Sequence, residues 1–199
     1  MFPLFAAISG VLSAVSSLVP KIIELSLKDL KLFVNFLIDV LKSFDDLLPG
    51  EENVEDVGAK AMKAEEEGVT PEQFDDYDAY RKHLEEMEIT EEEKNKYTED
   101  ERMQKGAEVL TGALIEHVGE VSTDILRYVL QSPERGEAYQ WIFEENPDRI
   151  RDIGAFLAGK ELPMEKSEKI STELYESEKQ VHPDTTLDDM YKHLDQARS

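Results

Sequence analysis

Hydrophobic residues dominate the first 48 positions of the chain, and they become sparse and periodic after that point. Within residues 1–19, small residues recur at every fourth position, at Ala6, Gly10 and Ala14. This spacing lets two helices approach closely. Nineteen residues span about 28 Å as a helix, which is close to the thickness of a membrane's hydrocarbon core. The pattern predicts a first helix that is suited to burial in a bilayer or against another helix.

A second helix is predicted from about residue 21 to residue 48, between Pro20 and the Pro49-Gly50 pair. Proline fits the first turn of a helix and disfavours helical geometry in the residue before it, so we expect Pro20 to separate the two helices. The polar residues from Lys21 to Lys42 recur every three or four positions and form one narrow stripe. The remaining surface is apolar over more than half of the circumference, which is wider than the face that a surface helix buries.

The two helices together predict an apolar hairpin that needs more than one neighbour to cover it. Three environments stay open: contact with a membrane through residues 1–48, burial between protein subunits, and an ordinary core within the chain. The acidic remainder offers few apolar residues for such a core, which favours the first two environments. The residues expected at this membrane or subunit interface are Ala6, Gly10, Ala14, Ile22, Phe33, Phe36, Leu37, Val40 and Leu41.

After residue 50, helix-start signals predict several short helices, and strand signals are almost absent. Capping boxes are predicted at Thr70, with Gln73 as the third residue after it, and at Thr90 and Thr98, each with a Glu at that position. The best-formed helix is predicted from Thr98 to Leu130, with Gly112 and Gly119 as points where another helix crosses closely. The expected fold class is all-α, in three parts. An N-terminal apolar helical hairpin (residues 1–50) precedes a small acidic multi-helix bundle (51–160) and a sparse C-terminal helical tail (161–199).

The tail ends in a short helix that carries Leu187, Met190, Tyr191 and Leu194 on one side. Two interpretations of this side stay open. It docks into the groove of a partner protein, as amphipathic helices often do, or it folds back onto the chain's own bundle.

Charge is distributed as unevenly as hydrophobicity. Residues 1–50 carry four Lys and five Asp or Glu, so nearly all of the net charge of −23 falls on residues 51–199. This charge disfavours nucleic acid and anionic lipid headgroups as direct partners, and it would attract a basic partner.

Sequence motifs give no indication of catalysis, of a cofactor or of a metal site. The chain has no cysteine, which excludes disulfides and thiolate chemistry. The pairs His83/Glu86 and His117/Glu120 have His-x-x-Glu order, whereas di-iron bundles use Glu-x-x-His. Such pairs arise by chance in a strongly acidic chain, so the sequence predicts no catalytic, cofactor-binding or metal-ligating residues.

Three functional interpretations remain open. The first is a non-enzymatic structural or assembly subunit of a larger oligomeric, membrane-associated complex, such as a virion, secretion or injection component, which uses its hairpin for assembly. The second is a membrane-active helical pore-former or holin-like effector. The third is an acidic helical adaptor or inhibitor of a basic protein. The expected partners are further copies of the chain or other protein subunits, and no nucleic acid is expected. The sequence fixes no compartment.

Overall fold

The computed structural model describes residues 4–198, with side chains from residue 8 onward. This part of the chain contains eleven α-helices, short 3-10 segments and no strand, so the all-α prediction is confirmed. It divides into two compact units, Met1–Glu120 and Val121–Ser199. The first unit contains α1 (Leu4–Glu24), α2 (Leu27–Ser43), α3 (Val54–Glu66), α4 (Tyr77–Glu86), α5 (Glu91–Lys94) and α6 (Glu99–Val118). The second contains α7 (Ser122–Gln131), α8 (Gly136–Tyr139), α9 (Pro147–Leu157), α10 (Met164–Val181) and α11 (Leu187–Arg198).

Helix α6 is the centre of the first unit, because α1, α2, α3 and α4 all pack against it. Small residues on several sides of this helix allow four neighbours to approach. At the crossing with α3, a Cβ atom on Gly58 would lie 1.8 Å from the backbone oxygen of Arg102. A Cβ atom on Gly112 would lie 2.2 Å from the ring of Tyr77. The buried residues of α6 are Met103, Gly106, Ala107, Val109, Leu110, Thr111, Gly112, Ala113, Leu114 and Ile115.

The predicted break at Pro20 is wrong. Helix α1 continues through Pro20 to Glu24, and the turn to α2 lies at residues 25–26, where the Ser26 side chain accepts from the backbone N–H of Asp29. Proline removes one helical hydrogen bond, and here it lies on the exposed side of α1. Leu18 and Ile22 on either side of it are fully buried, so packing offsets the loss.

The apolar residues of the hairpin lie in the core of the first unit. Helices α1 and α2 pack against α6, whose buried surface includes glycine and alanine residues. The sequence-based expectation considered large apolar residues, so it did not recognise this surface as a packing partner. Six of the nine residues expected at a membrane or subunit interface are thus buried against the chain's own helices. Of the nine, Ala6 lies outside the described side chains, and Gly10 and Ala14 are half-buried. The buried ones are Ile22, Phe33, Phe36, Leu37, Val40 and Leu41.

The helix predicted from Thr98 to Leu130 is two helices. Gly119 has φ +98°, a left-handed value that suits glycine, and it ends α6 before α7 begins at Ser122. The predicted capping boxes at Thr90 and Thr98 are present. The one predicted at Thr70 is wrong, because the Thr70 side chain makes no capping hydrogen bond and only a short 3-10 segment, Pro71–Gln73, follows it. The division into compact units at residues 120 and 121 differs from the predicted boundaries at 50 and 160.

In the second unit, α7 packs against α9 and α11, and α10 packs against α8 and α9. The C-terminal helix folds back onto this unit, because Met190 and Leu194 are fully buried. Leu187 and Tyr191 of the same helix remain 45% and 42% exposed. The Tyr191 hydroxyl lies 2.7 Å from the Ser171 Oγ on α10.

Candidate functional site

A buried arginine lies at the centre of the candidate site in the first unit. Arg81 is on α4, whose first turn is capped by the Asp76 carboxylate, and only 2% of Arg81 is exposed. Its guanidinium donates to both carboxylate oxygens of Glu51, over 2.9 Å from Nε to Oε1 and 2.7 Å from Nη2 to Oε2. Such two-point pairing is the strongest form of an arginine–carboxylate contact. It fixes the loop before α3 against α4.

Further acidic groups surround the same guanidinium. Arg81 Nη2 donates to the backbone oxygen of Asp46 over 2.5 Å, and Nη1 lies 3.3 Å from the Asp46 Oδ2 and 3.5 Å from the Asp78 Oδ1. Burial alone would lower the pKa of Arg81, but the hydrogen bonds and charge of Glu51, with the charges of Asp46 and Asp78, raise it. Three carboxylates thus surround this one guanidinium, and Lys82 forms a second ion pair with Asp78 over 2.6 Å.

A cavity of about 230 Å³ lies beside this cluster, between the loop before α3, α3 and α4. Pro49, Val57 and Leu84 give it an apolar wall. Its charged lining consists of Glu51, Asp56, Lys60, Arg81 and Glu85. The site thus combines an apolar surface with charged groups of both signs.

Two of the charged side chains at this cavity are occupied by contacts within the protein. Asp56 accepts from the Asn53 side-chain amide over 2.6 Å and forms an ion pair with Lys94. Lys60 Nζ donates to the backbone oxygen of Glu85 over 3.1 Å. The Glu85 carboxylate forms no ion pair within residues 4–198. It is the acidic group at the cavity that remains available to a ligand.

Glu85 also belongs to an exposed acidic surface at the end of α4 and the start of α5. We call the exposed residues Glu85, Glu86, Glu88, Glu91 and Glu92 the acidic face. Among the described residues, the neighbouring Lys63 and Lys94 form their ion pairs with Glu93 and Asp56, which lie outside this face. Lys63 donates to the Glu88 backbone oxygen over 3.1 Å and pairs with Glu93 over 2.8 Å. The Lys63 contact, with hydrogen bonds from Thr90, lowers the pKa of Glu93 to about 2.

The second unit contains another buried charge cluster, around Glu178. This residue is fully buried on α10. Its carboxylate accepts from the Tyr128 hydroxyl over 2.9 Å, from the Tyr139 hydroxyl, and from Arg135 Nη1 over 2.5 Å. Burial, with the charge of Glu178 as a lesser cause, raises the pKa of Tyr128, so the phenol stays protonated. The cluster joins α7, α8 and α10, because every partner comes from a different element.

A serine and a histidine lie next to this cluster. His193 Nε2 is 2.5 Å from the Ser132 Oγ, and the imidazole packs edge-on against the Tyr128 ring. Burial, with the charge of Arg135, lowers the pKa of His193. Ser132 is 7% exposed, so its hydroxyl is not presented at the surface. The pair tethers α11 to the end of α7.

The two histidines that the sequence singled out make aromatic contacts. His117 stacks on Phe44, and its Nδ1 lies 3.6 Å from the Asp46 Oδ2, while His83 packs against Phe74. Residues 4–198 contain no group of three or more His, Asp or Glu side chains arranged to hold a metal ion. Within the same range, no helix is both long enough and apolar enough to cross a membrane.

Sequence reasoning missed both buried charges, although each lies on the apolar stripe of its helix. Arg81 is four residues after Tyr77 and three before Leu84, and all three are buried. Glu178 is four residues after Leu174, which is also buried. The sequence did contain a signal for such buried charges. In each helix, a charged residue occupies a position where the helical period predicts an apolar one. Its partners could not be inferred, because they come from distant segments.

Comparison with protein-family models, with curated proteins and with solved structures found no match to the chain.

Proposed function

We propose that the protein is a non-enzymatic adaptor that binds a basic segment of a protein partner through the acidic face. The observation that carries this proposal is the arrangement of the charged side chains around α5. The carboxylates of the acidic face are exposed and form no ion pair within the described chain. The nearby Lys60 and Lys63 are directed to backbone oxygens of the same segment. This segment of the first unit thus presents five exposed carboxylates that form no ion pair with a lysine or arginine among the described residues.

Burial in the first unit supports an adaptor over the two interpretations that use the hairpin as a contact surface. Phe33, Leu37 and Leu41 are fully covered by the chain's own helices. A hairpin-mediated assembly or a membrane pore would have to expose this core, at a cost of roughly 25 cal/mol for each Å² of apolar surface. Binding through the acidic face requires no such rearrangement.

Isothermal titration calorimetry with a nona-arginine peptide tests this proposal. The variant Glu85→Lys/Glu88→Lys/Glu92→Lys reverses three charges of the acidic face. The matched variant Glu144→Lys/Glu161→Lys/Glu176→Lys reverses three exposed charges of the second unit and changes the net charge equally. We expect the first variant to lose about tenfold or more in affinity and the second much less, because short-range charge pairs dominate at moderate salt.

Equal losses in the two triple variants would contradict the proposal, since they would show that only total charge matters. Absence of measurable binding by the unmodified chain at low salt would also contradict it. Circular dichroism of each variant must show unchanged helix content for the comparison to count.

A further inference from the structure

We propose that the cavity beside Arg81 takes a single basic side chain, an arginine or a lysine, from the partner's basic segment. This inference rests on the proposed function and names the group that the site recognises. Glu85 lines the cavity and is an exposed residue of the acidic face. A segment lying along that face therefore comes close to the cavity at Glu85.

The size and lining of the cavity fit one long, amphipathic side chain. Its volume of about 230 Å³ is below the roughly 300–1,000 Å³ typical of sites for drug-sized ligands. Arginine and lysine bury an aliphatic stem on apolar surface while the charged end finds polar groups. Pro49, Val57 and Leu84 provide the apolar wall for the stem, and the Glu85 carboxylate provides an unpaired acceptor for the end group.

The electrostatic balance favours a cationic end group. Glu51, Asp56 and Glu85 line the cavity against Lys60 and Arg81, and the Asp46 and Asp78 carboxylates lie behind the guanidinium. Lys94 pairs with Asp56 and Lys82 with Asp78, so these five carboxylates exceed the nearby cations by one. An anion would meet this excess of carboxylates at close range, which is unfavourable in a partly desolvated site. Among the described residues, the Lys60 ammonium group contacts only the backbone oxygen of Glu85. No carboxylate among them pairs with its positive charge, so Lys60 would repel a second cation in the cavity.

The inference predicts that replacing Lys60 changes the affinity for a cation in the opposite direction to replacing Glu85. Replacing Lys60 with methionine removes the opposing charge and keeps an unbranched side chain on α3. Binding of a cationic probe should then strengthen. If the cavity instead took an anionic group, loss of Lys60 would weaken binding of an anion and leave the cationic probe without a site.

The experiment is an NMR titration of the full chain with N-acetyl-arginine amide, with N-acetyl-citrulline amide as the uncharged probe of the same shape. We expect arginine-dependent chemical-shift changes at the Val57 and Leu84 methyl groups, and much smaller changes with citrulline. Glu85→Gln should weaken binding about threefold, Lys60→Met should strengthen it about as much, and Glu86→Gln should change it little. Glu86 is the matched control because it is exposed on the same helix and does not line the cavity.

Two results would overturn the inference. The first is equal weakening by Glu85→Gln and Glu86→Gln without shifts at Val57 and Leu84. In that case the acidic face would bind without the cavity, and tight nona-arginine binding would leave the proposed function standing. The second is equal binding of the arginine and citrulline probes, which would show that charge is not recognised. Failure of the proposed function can be distinguished from both results, because the unmodified chain would then not bind nona-arginine.

Discussion

At the scale of single residues, the protein is unusual in placing charged side chains on apolar helical stripes. Arg81 and Glu178 are both fully or almost fully buried, and each is surrounded by partners from other elements. A buried ion pair is weak evidence for stability as a whole, because desolvation opposes the attraction. Removal of one partner is different, since it leaves the other charge buried and unpaired.

Glu178→Ala should therefore destabilise the second unit by roughly 3–5 kcal/mol in urea-induced unfolding. The substitution leaves Arg135 without its carboxylate and removes the acceptor that the buried Tyr128 and Tyr139 hydroxyls share. These hydroxyls lie 3.2 Å apart, so only one of them can still donate to the other. Glu176→Ala changes the same residue type at an exposed position of α10, and it should shift the free energy of unfolding by less than about 0.5 kcal/mol. Similar urea midpoints for the two variants would contradict a stabilising role of the cluster around Glu178.

At the scale of helices, local sequence signals predicted starts better than ends. The boxes at Thr90 and Thr98 were predicted because a cap depends on residues three positions apart. Pro20 was misjudged because burial on both sides of it decides whether the helix continues. The candidate cavity was not predictable either, since Glu51 and Arg81 are 30 residues apart and meet only through packing of α3 and α4.

The crossing of α3 and α6 gives a direct test of helix packing. Gly58→Ala should destabilise the chain by about 2 kcal/mol, because its Cβ atom would lie 1.8 Å from a backbone oxygen that cannot yield. Gly10→Ala is the matched substitution, because its Cβ atom would meet the end of the flexible Glu120 side chain. It should be neutral or stabilising by up to about 1 kcal/mol, as expected from helix propensity. Equal tolerance of both substitutions in thermal unfolding would refute the close crossing.

At the scale of the whole molecule, the apolar start contributes two helices to the core of the first unit, and the acidic remainder contributes both core and surface residues. The all-α class followed from the sequence because helical periodicity and capping are local properties. The location of the core did not, because small residues of α6 receive the hairpin and carry little hydrophobic signal. Within the described side chains, the exposed large apolar residues are Ile23, Met164, Leu187 and Tyr191. Scattered residues of this kind are normal on a monomer.

The measurement that tests this account most directly is the mass of the full chain by light scattering, with and without a mild detergent. We predict a monomer of 22.7 kDa in both conditions. The apolar hairpin is covered within the first unit, and a net charge of −23 opposes self-association. A larger detergent-free assembly, or a mass that depends on detergent, would contradict the claim that the buried residues among positions 8–48 belong to an internal core.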